Sequence, residues 1–221
     1  MNLTDVLTDK DEKQARTNRI YGVVSAIVTD NHDPDGRARV KLKFPWLEEQ
    51  AQSDWAKLAC PMAGKDRGSV FLPENGDEVL VAFEHGDVHH PYVLGALWNS
   101  EDTPPETNSD GKNNIRKIKS RSGHELIFCD DGQGQKEKVE LHTKAGHKIV
   151  LDDSTGAEKI EIRDKSGSNV VTIDSVKGEM SLESQTSLKI KSLQIEIEAQ
   201  TTLKLSAGAL VEVKGGLVKI N

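Results

Sequence analysis

Glu84, His85, Asp87, His89 and His90 crowd one short stretch of the chain. Imidazoles and carboxylates this close together are the donor types of a divalent-metal site. A second candidate is Asn31-x-Asp33-x-Asp35-Gly36, which imitates the start of a calcium loop. A true EF-hand needs a bidentate Glu at loop position 12, and that position is Leu42. Turn chemistry, with Asx side chains capping their own backbone, is the expected role. His124 and His147 occupy equivalent places in a repeat, where a threefold axis could gather them; turn residues facing solvent are expected. Cys60 and Cys129 are the only cysteines, read as two buried free thiols, with neither a disulfide framework nor a zinc site. No nucleophile-elbow, P-loop or zinc-protease motif occurs, and no pocket-forming domain is evident for a paired-carboxylate site. The expectation is therefore no catalytic residue, no resident metal and no cofactor.

Composition points away from enzymes and nucleic-acid binders. The 221 residues are 35% hydrophobic and 29% charged, with only 4% aromatics. That is lean for a wide globular core and suits a narrow, elongated chain. The formal charge of -7 disfavours sequence-independent nucleic-acid binding, and few aromatics are available for base stacking. No apolar run is long enough for a membrane helix. The acidic first residues do not read as a signal peptide, so assembly in a bacterial cytoplasm is expected.

The elements divide into regions. Residues 1–16 form a polar arm. Residues 17–100 read as a small barrel: an apolar strand at Ile20–Val28, a turn at 30–36, alternation through Arg37–Phe44, then short strands at Trp55–Ala59, Gly68–Leu72, Glu78–Phe83 and Tyr92–Leu97. Such strands fit an OB-fold. Residues 101–115, with Pro104-Pro105 and Asn113-Asn114, read as a linker. Residues 116–221 contain no proline and alternate almost continuously. Ser122-Gly123-His124, Ala145-Gly146-His147 and Ser166-Gly167-Ser168 mark strand-turn units about 21 to 23 residues apart. After Ser184 the period shortens to about eight, with apolar pairs Leu188/Ile190, Ile195/Ile197, Leu203/Leu205, Val211/Val213 and Val218/Ile220.

An eight-residue unit supplies too few inward side chains to close a core alone. Its backbone groups also need partners. Winding around two identical chains answers both needs and leaves no lengthwise sheet edge. The expected fold class is all-β: an N-terminal OB-fold barrel, then a C-terminal triple-stranded intertwined β-helix in a homotrimer, with the apolar pairs as its core.

The barrel carries a recognisable series: Gly36-Arg37-Ala38-Arg39-Val40, Phe44-Pro45-Trp46, Leu72-Pro73-Glu74-Asn75-Gly76-Asp77-Glu78, Gly86-Asp87, and Pro91-Tyr92-Val93-Leu94-Gly95-Ala96-Leu97-Trp98-Asn99. It resembles the family of baseplate assembly protein V, VgrG and the phage T4 tail spike (gene product 5). Pro45, Trp46, Pro73, Gly76, Asp77, Gly86, Asp87, Pro91 and Gly95 are the structural signature the resemblance picks out. It implies the central spike of a contractile injection system, a trimeric, non-enzymatic needle that punctures a target cell envelope as part of a phage or phage-tail-like particle. The resemblance places the His85–His90 group in a loop between barrel strands, and the octads match the family's β-helical needle. Residues Leu217, Val218, Lys219, Ile220 and Asn221 look like the needle end that commonly carries a PAAR-type tip protein. No lysozyme domain fits between barrel and needle, and a large hub domain is missing before the barrel, so a separate gp27-like hub protein is implied, beside inner tube and baseplate proteins. The last histidine is His147, so a His-x-His iron tip is not expected. A trimeric receptor-binding tail fibre is the alternative reading.

Overall fold

A computed structural model describes residues 19–46 and 52–220. The proposed arm at 1–16, the segment 47–51 and Asn221 lie outside the described residues. The chain divides into two compact units, between Ser109 and Asp110.

The first unit is the barrel. Strands β1 (Val24–Asp30), β2 (Lys41–Lys43), β3 (Lys57–Leu58), β6 (Glu78–Phe83) and β7 (Pro91–Ala96) form a sheet in the order β2-β1-β6-β7-β3. The bridge Val40↔Ala56 joins the two ends and closes it. Among the described residues the only parallel pair is β3 with β7. A small ribbon, β4 (Ala63–Gly64) with β5 (Arg67–Gly68), stands apart. Period-2 alternation sends Val79, Val81 and Phe83 inward from β6, where they meet Ala26, Val28, Val40, Leu42, Phe44 and Val93. These strands form because β-branched and aromatic residues alternate with polar ones.

Several expected strands are shorter than the pattern implied. Arg37–Phe44 is regular only at β2, because Arg37 and Arg39 are drawn into the preceding turn by Asp33. Trp55–Ala59 contributes only β3. Gly68–Leu72 ends as a strand at Gly68, leaving Val70 and Phe71 exposed. The cysteines were expected to be buried; Cys60 is exposed and Cys129 half-buried, since neither points into the barrel core.

Signature residues mark where the barrel chain reverses or crowds. Gly76 has φ +102° in the turn before β6, its N–H bonded to the Val28 carbonyl at 2.8 Å. Asp77 closes that turn by accepting the Glu74 N–H at 2.9 Å. Gly86 has φ +80°, and a Cβ there would sit 3.0 Å from Arg19 Cβ, so only glycine lets the chain at Ile20 pass. Pro91 opens β7, and Gly95 lies beside the irregularity that shifts the β6–β7 register. Trp46 packs its ring on Phe44, centroids 5.5 Å apart.

The second unit contains a seven-stranded antiparallel meander: β8 (Ile115–Lys119), β9 (Glu125–Cys129), β10 (Lys138–His142), β11 (Lys148–Asp152), β12 (Lys159–Arg163), β13 (Val170–Asp174) and β14 (Glu179–Glu183). Its strand pairs are consecutive in sequence. Gly123, Gly146 and Gly167 all take positive φ in the hairpin turns at one end. Each sits where αL geometry is needed, which explains the Gly of the repeat. Residues 184–220 contain no strand.

Candidate functional site: an uncovered apolar face

The meander's register sorts its side chains cleanly. One face carries two cross-strand rows. The first is Ile118, Leu126, Leu141, Ile149, Ile162, Val171 and Leu182. The second is Arg116, Phe128, Val139, Leu151, Ile160, Ile173 and Met180. Apart from Arg116 at the first strand, this face is wholly apolar.

The opposite face carries charge, arranged as one carboxylate between basic side chains. Glu125 meets Lys117 at 3.6 Å and Lys119 at 3.4 Å. Glu140 meets Lys138 at 2.5 Å and lies 2.7 Å from His142 Nε2, the latter contact without hydrogen-bond alignment. Glu161 lies between Lys159 and Arg163. Burial alone would raise the Glu140 pKa; the Lys138 hydrogen bond and charge outweigh it and hold the carboxyl below its ordinary range. Glu125 is lowered in the same way, its burial outweighed by Lys117 and Lys119.

The burial of the two faces is inverted relative to a self-sufficient sheet. Glu161 on the charged face is 8% exposed, whereas its neighbour Ile162 is 49% exposed. An exposed contiguous apolar face of this kind marks an interaction surface. A groove of about 570 Å³ runs along it, bordered by Leu141, Ile149, Ile162, Val171, Leu182 and Leu188. Leu188 is the first member of the octads, so the apolar face runs on into them.

The octad residues behave alike. Leu188, Ile190, Ile195, Ile197, Leu203, Leu205, Val211, Val213, Val218 and Ile220 are all exposed in the single chain. Leu193 and Leu210, outside the pair series, are exposed too. Of the predicted needle end, Leu217, Val218, Lys219 and Ile220 are described, and the structure brings no second chain element onto them; Asn221 lies outside the described residues. The meander face was missed from the sequence as a functional surface. The signal is in the sequence: strands β9–β14 have apolar second and fourth residues.

The other candidate sites resolve as structure. Asp33 binds Arg39 through both oxygens, at 2.9 Å to Nε and 2.7 Å to Nη2, and accepts the Asp35 and Arg37 N–H groups. The Arg39 hydrogen bond is the main reason its carboxyl lies well below the usual range. His90 contacts Asp87 at 3.3 Å and His89 contacts Asp54 at 3.4 Å, so these side chains pair separately around the 3-10 turn Glu84–Gly86. Among the described residues no group of three or more His, Cys, Asp or Glu is placed to hold a metal ion.

His124 and His147 are not free turn residues. His124 Nδ1 accepts the Lys144 N–H at 3.3 Å, and His147 Nδ1 accepts the Lys165 N–H at 3.2 Å. Asn169 Oδ1 takes the third place, accepting the Gln185 N–H at 3.2 Å. Each turn is thereby tied to the next along one end of the sheet.

Comparison with known proteins bears first on the barrel. Residues 24–98 match the type VI secretion system/phage-baseplate injector OB domain. The barrel thus carries an injector-type OB domain, and the chain is similar to VgrG spike proteins over a larger part of its length. Among curated relatives, the actin cross-linking toxin VgrG1 of Vibrio cholerae is 28% identical over 176 residues, 76% of this chain and 16% of that protein. The spike protein VgrG5 of Pseudomonas aeruginosa is 32% identical, over 59% of this chain and 20% of its own length. VgrG3 of V. cholerae is 29% identical, over 53% and 12% respectively. The chain thus spans about a fifth or less of the relatives it matches. The family's OB domain coincides with the barrel, and the match to VgrG1 extends beyond the length of that domain. Among the described residues, no helix is long and apolar enough to cross a membrane.

Proposed function

We propose that the chain is the central spike of a contractile injection system, a homotrimer whose second unit is a needle. The observation that carries this reading is the inverted burial of the meander: carboxylates covered, isoleucines bare. Threefold packing of that face, with the octads continuing it, would place Leu188, Ile190, Ile195, Ile197, Leu203, Leu205, Val211, Val213, Val218 and Ile220 on a common axis. The barrel, matching an injector OB domain, would attach the needle to the baseplate through a separate hub. The needle would transmit axial load into a target envelope, with residues 217–221 seating a PAAR-type tip. The role is mechanical, with no catalytic residue assigned.

Light scattering tests the assembly. The full chain is expected at about 73 kDa, three times 24.3 kDa, and a fragment ending at Ser109 at monomer mass. A monomeric full chain would overturn the reading. Co-purification with a PAAR-type protein, lost on removing residues 217–221, tests the tip.

A further inference from the structure

The two parts of the second unit depend on other chains to different degrees. In the meander every strand pairs with its neighbour in the chain, β8 and β14 on one side only. The sheet can therefore exist before any association. Residues 184–220 have no strand partner in their own chain, and their apolar side chains are exposed, Leu205 at 70%. Their backbone groups can be satisfied regularly only by other copies.

The junction between the two is fixed. Asn169 donates its amide to Asp164 Oδ2 at 2.9 Å, which orients the side chain. Its Oδ1 receives the Gln185 N–H at 3.2 Å and lies 3.2 Å from Ser184 Oγ. Ser184 Oγ also lies 3.0 Å from the Ser187 carbonyl. Asn169 thus holds the first residues beyond β14 and sets the direction in which the octads leave the sheet.

We propose that the spike assembles in two stages, resting on the trimer reading above. The preformed apolar sheet faces of the copies dock first; the octads then zip from the Asn169 clamp toward residue 220. The occupant of the sheet face is thereby a second copy of the same face. The physical reason is cost. Pairing short segments from separate chains loses association and chain entropy before any ladder forms. Docking a face already built by local hairpins loses far less, because its contacts are close in sequence. Once the faces are docked, each octad adds beside its equivalents as an intramolecular step.

Pulse-labelled hydrogen exchange during refolding of the full chain, with light scattering at the same times, tests the order. Protection of peptides from β9–β13 is expected first, then trimer mass, then protection of 186–220 at a rate that does not vary with protein concentration. Octad protection arising with or before that of the sheet would overturn the proposal. Two variants give an independent reading under native conditions. Leu205→Asp is expected to keep the trimer mass while tryptic cleavage around Lys204 rises about tenfold, because the zipped end is opened. Asn169→Ala is expected to raise cleavage near Lys189 by a similar factor. A monomeric Leu205→Asp chain would show that the octads hold the trimer and would overturn the order. A monomeric wild-type chain at all concentrations would instead remove the trimer reading itself.

Discussion

Asp33 shows how one side chain turns a calcium-like sequence into a fixed corner. Its two oxygens serve Arg39 and successive backbone N–H groups. The folded pKa is lowered, so its contribution to stability is present above the unfolded value of about 4 and is lost as pH falls through the folded value. Asp33→Asn is expected to lower the melting temperature at neutral pH and to flatten its decline in acid; thermal melts across pH check this. Leu42 is the plainer case. It is fully buried among Val28, Val40 and Val81, and Leu42→Ala should destabilise the barrel by about 2–5 kcal/mol in urea titration.

At the scale of elements, the meander is a series of hairpins whose turns carry the same constraints. Gly146 has φ +98°, and a Cβ there would meet Lys165 at 3.6 Å, an ordinary contact. The penalty of Gly146→Ala is therefore conformational, about 1–2 kcal/mol, readable as a shifted urea midpoint with unchanged slope. The strands also explain how the charged face is satisfied at Glu125, Glu140 and Glu161, which have cations on their own or the adjacent strand. A sheet with one face so complete and the other bare is a half-core. Strand propensity and register build it, and neither can cover it.

For the whole molecule, the proposed trimer turns on covering that half-core. Ile162→Asp would put a charge at the centre of the docked face in every copy, and burying an unpaired charge is prohibitive. The expected result is a chain at monomer mass with its barrel melting transition intact. Leu205→Asp is expected to lower the melting temperature of the trimer, since it interrupts the octad series; an unchanged melt would show that Leu205 does not face inward.

The sequence by itself determined the parts whose physics is local. Alternation in Glu78–Phe83, the turn at Glu74–Asp77, the glycines recurring in the meander turns and the eight-residue apolar pairs were all legible, because each is a short-range pattern of side-chain type. The barrel series also pointed to an injector-type OB domain, which residues 24–98 match. Tertiary structure decided what depends on register and on distant partners. Register aligned Leu126, Leu141, Ile149 and Ile162 into one continuous row, which no single strand declares. Asp33 in the preceding turn drew Arg39 out of the strand pattern, and bonds between separate turns gave His124 and His147 their backbone donors. A side chain's type fixes what it can bond; only the folded chain brings the other half of the bond within reach.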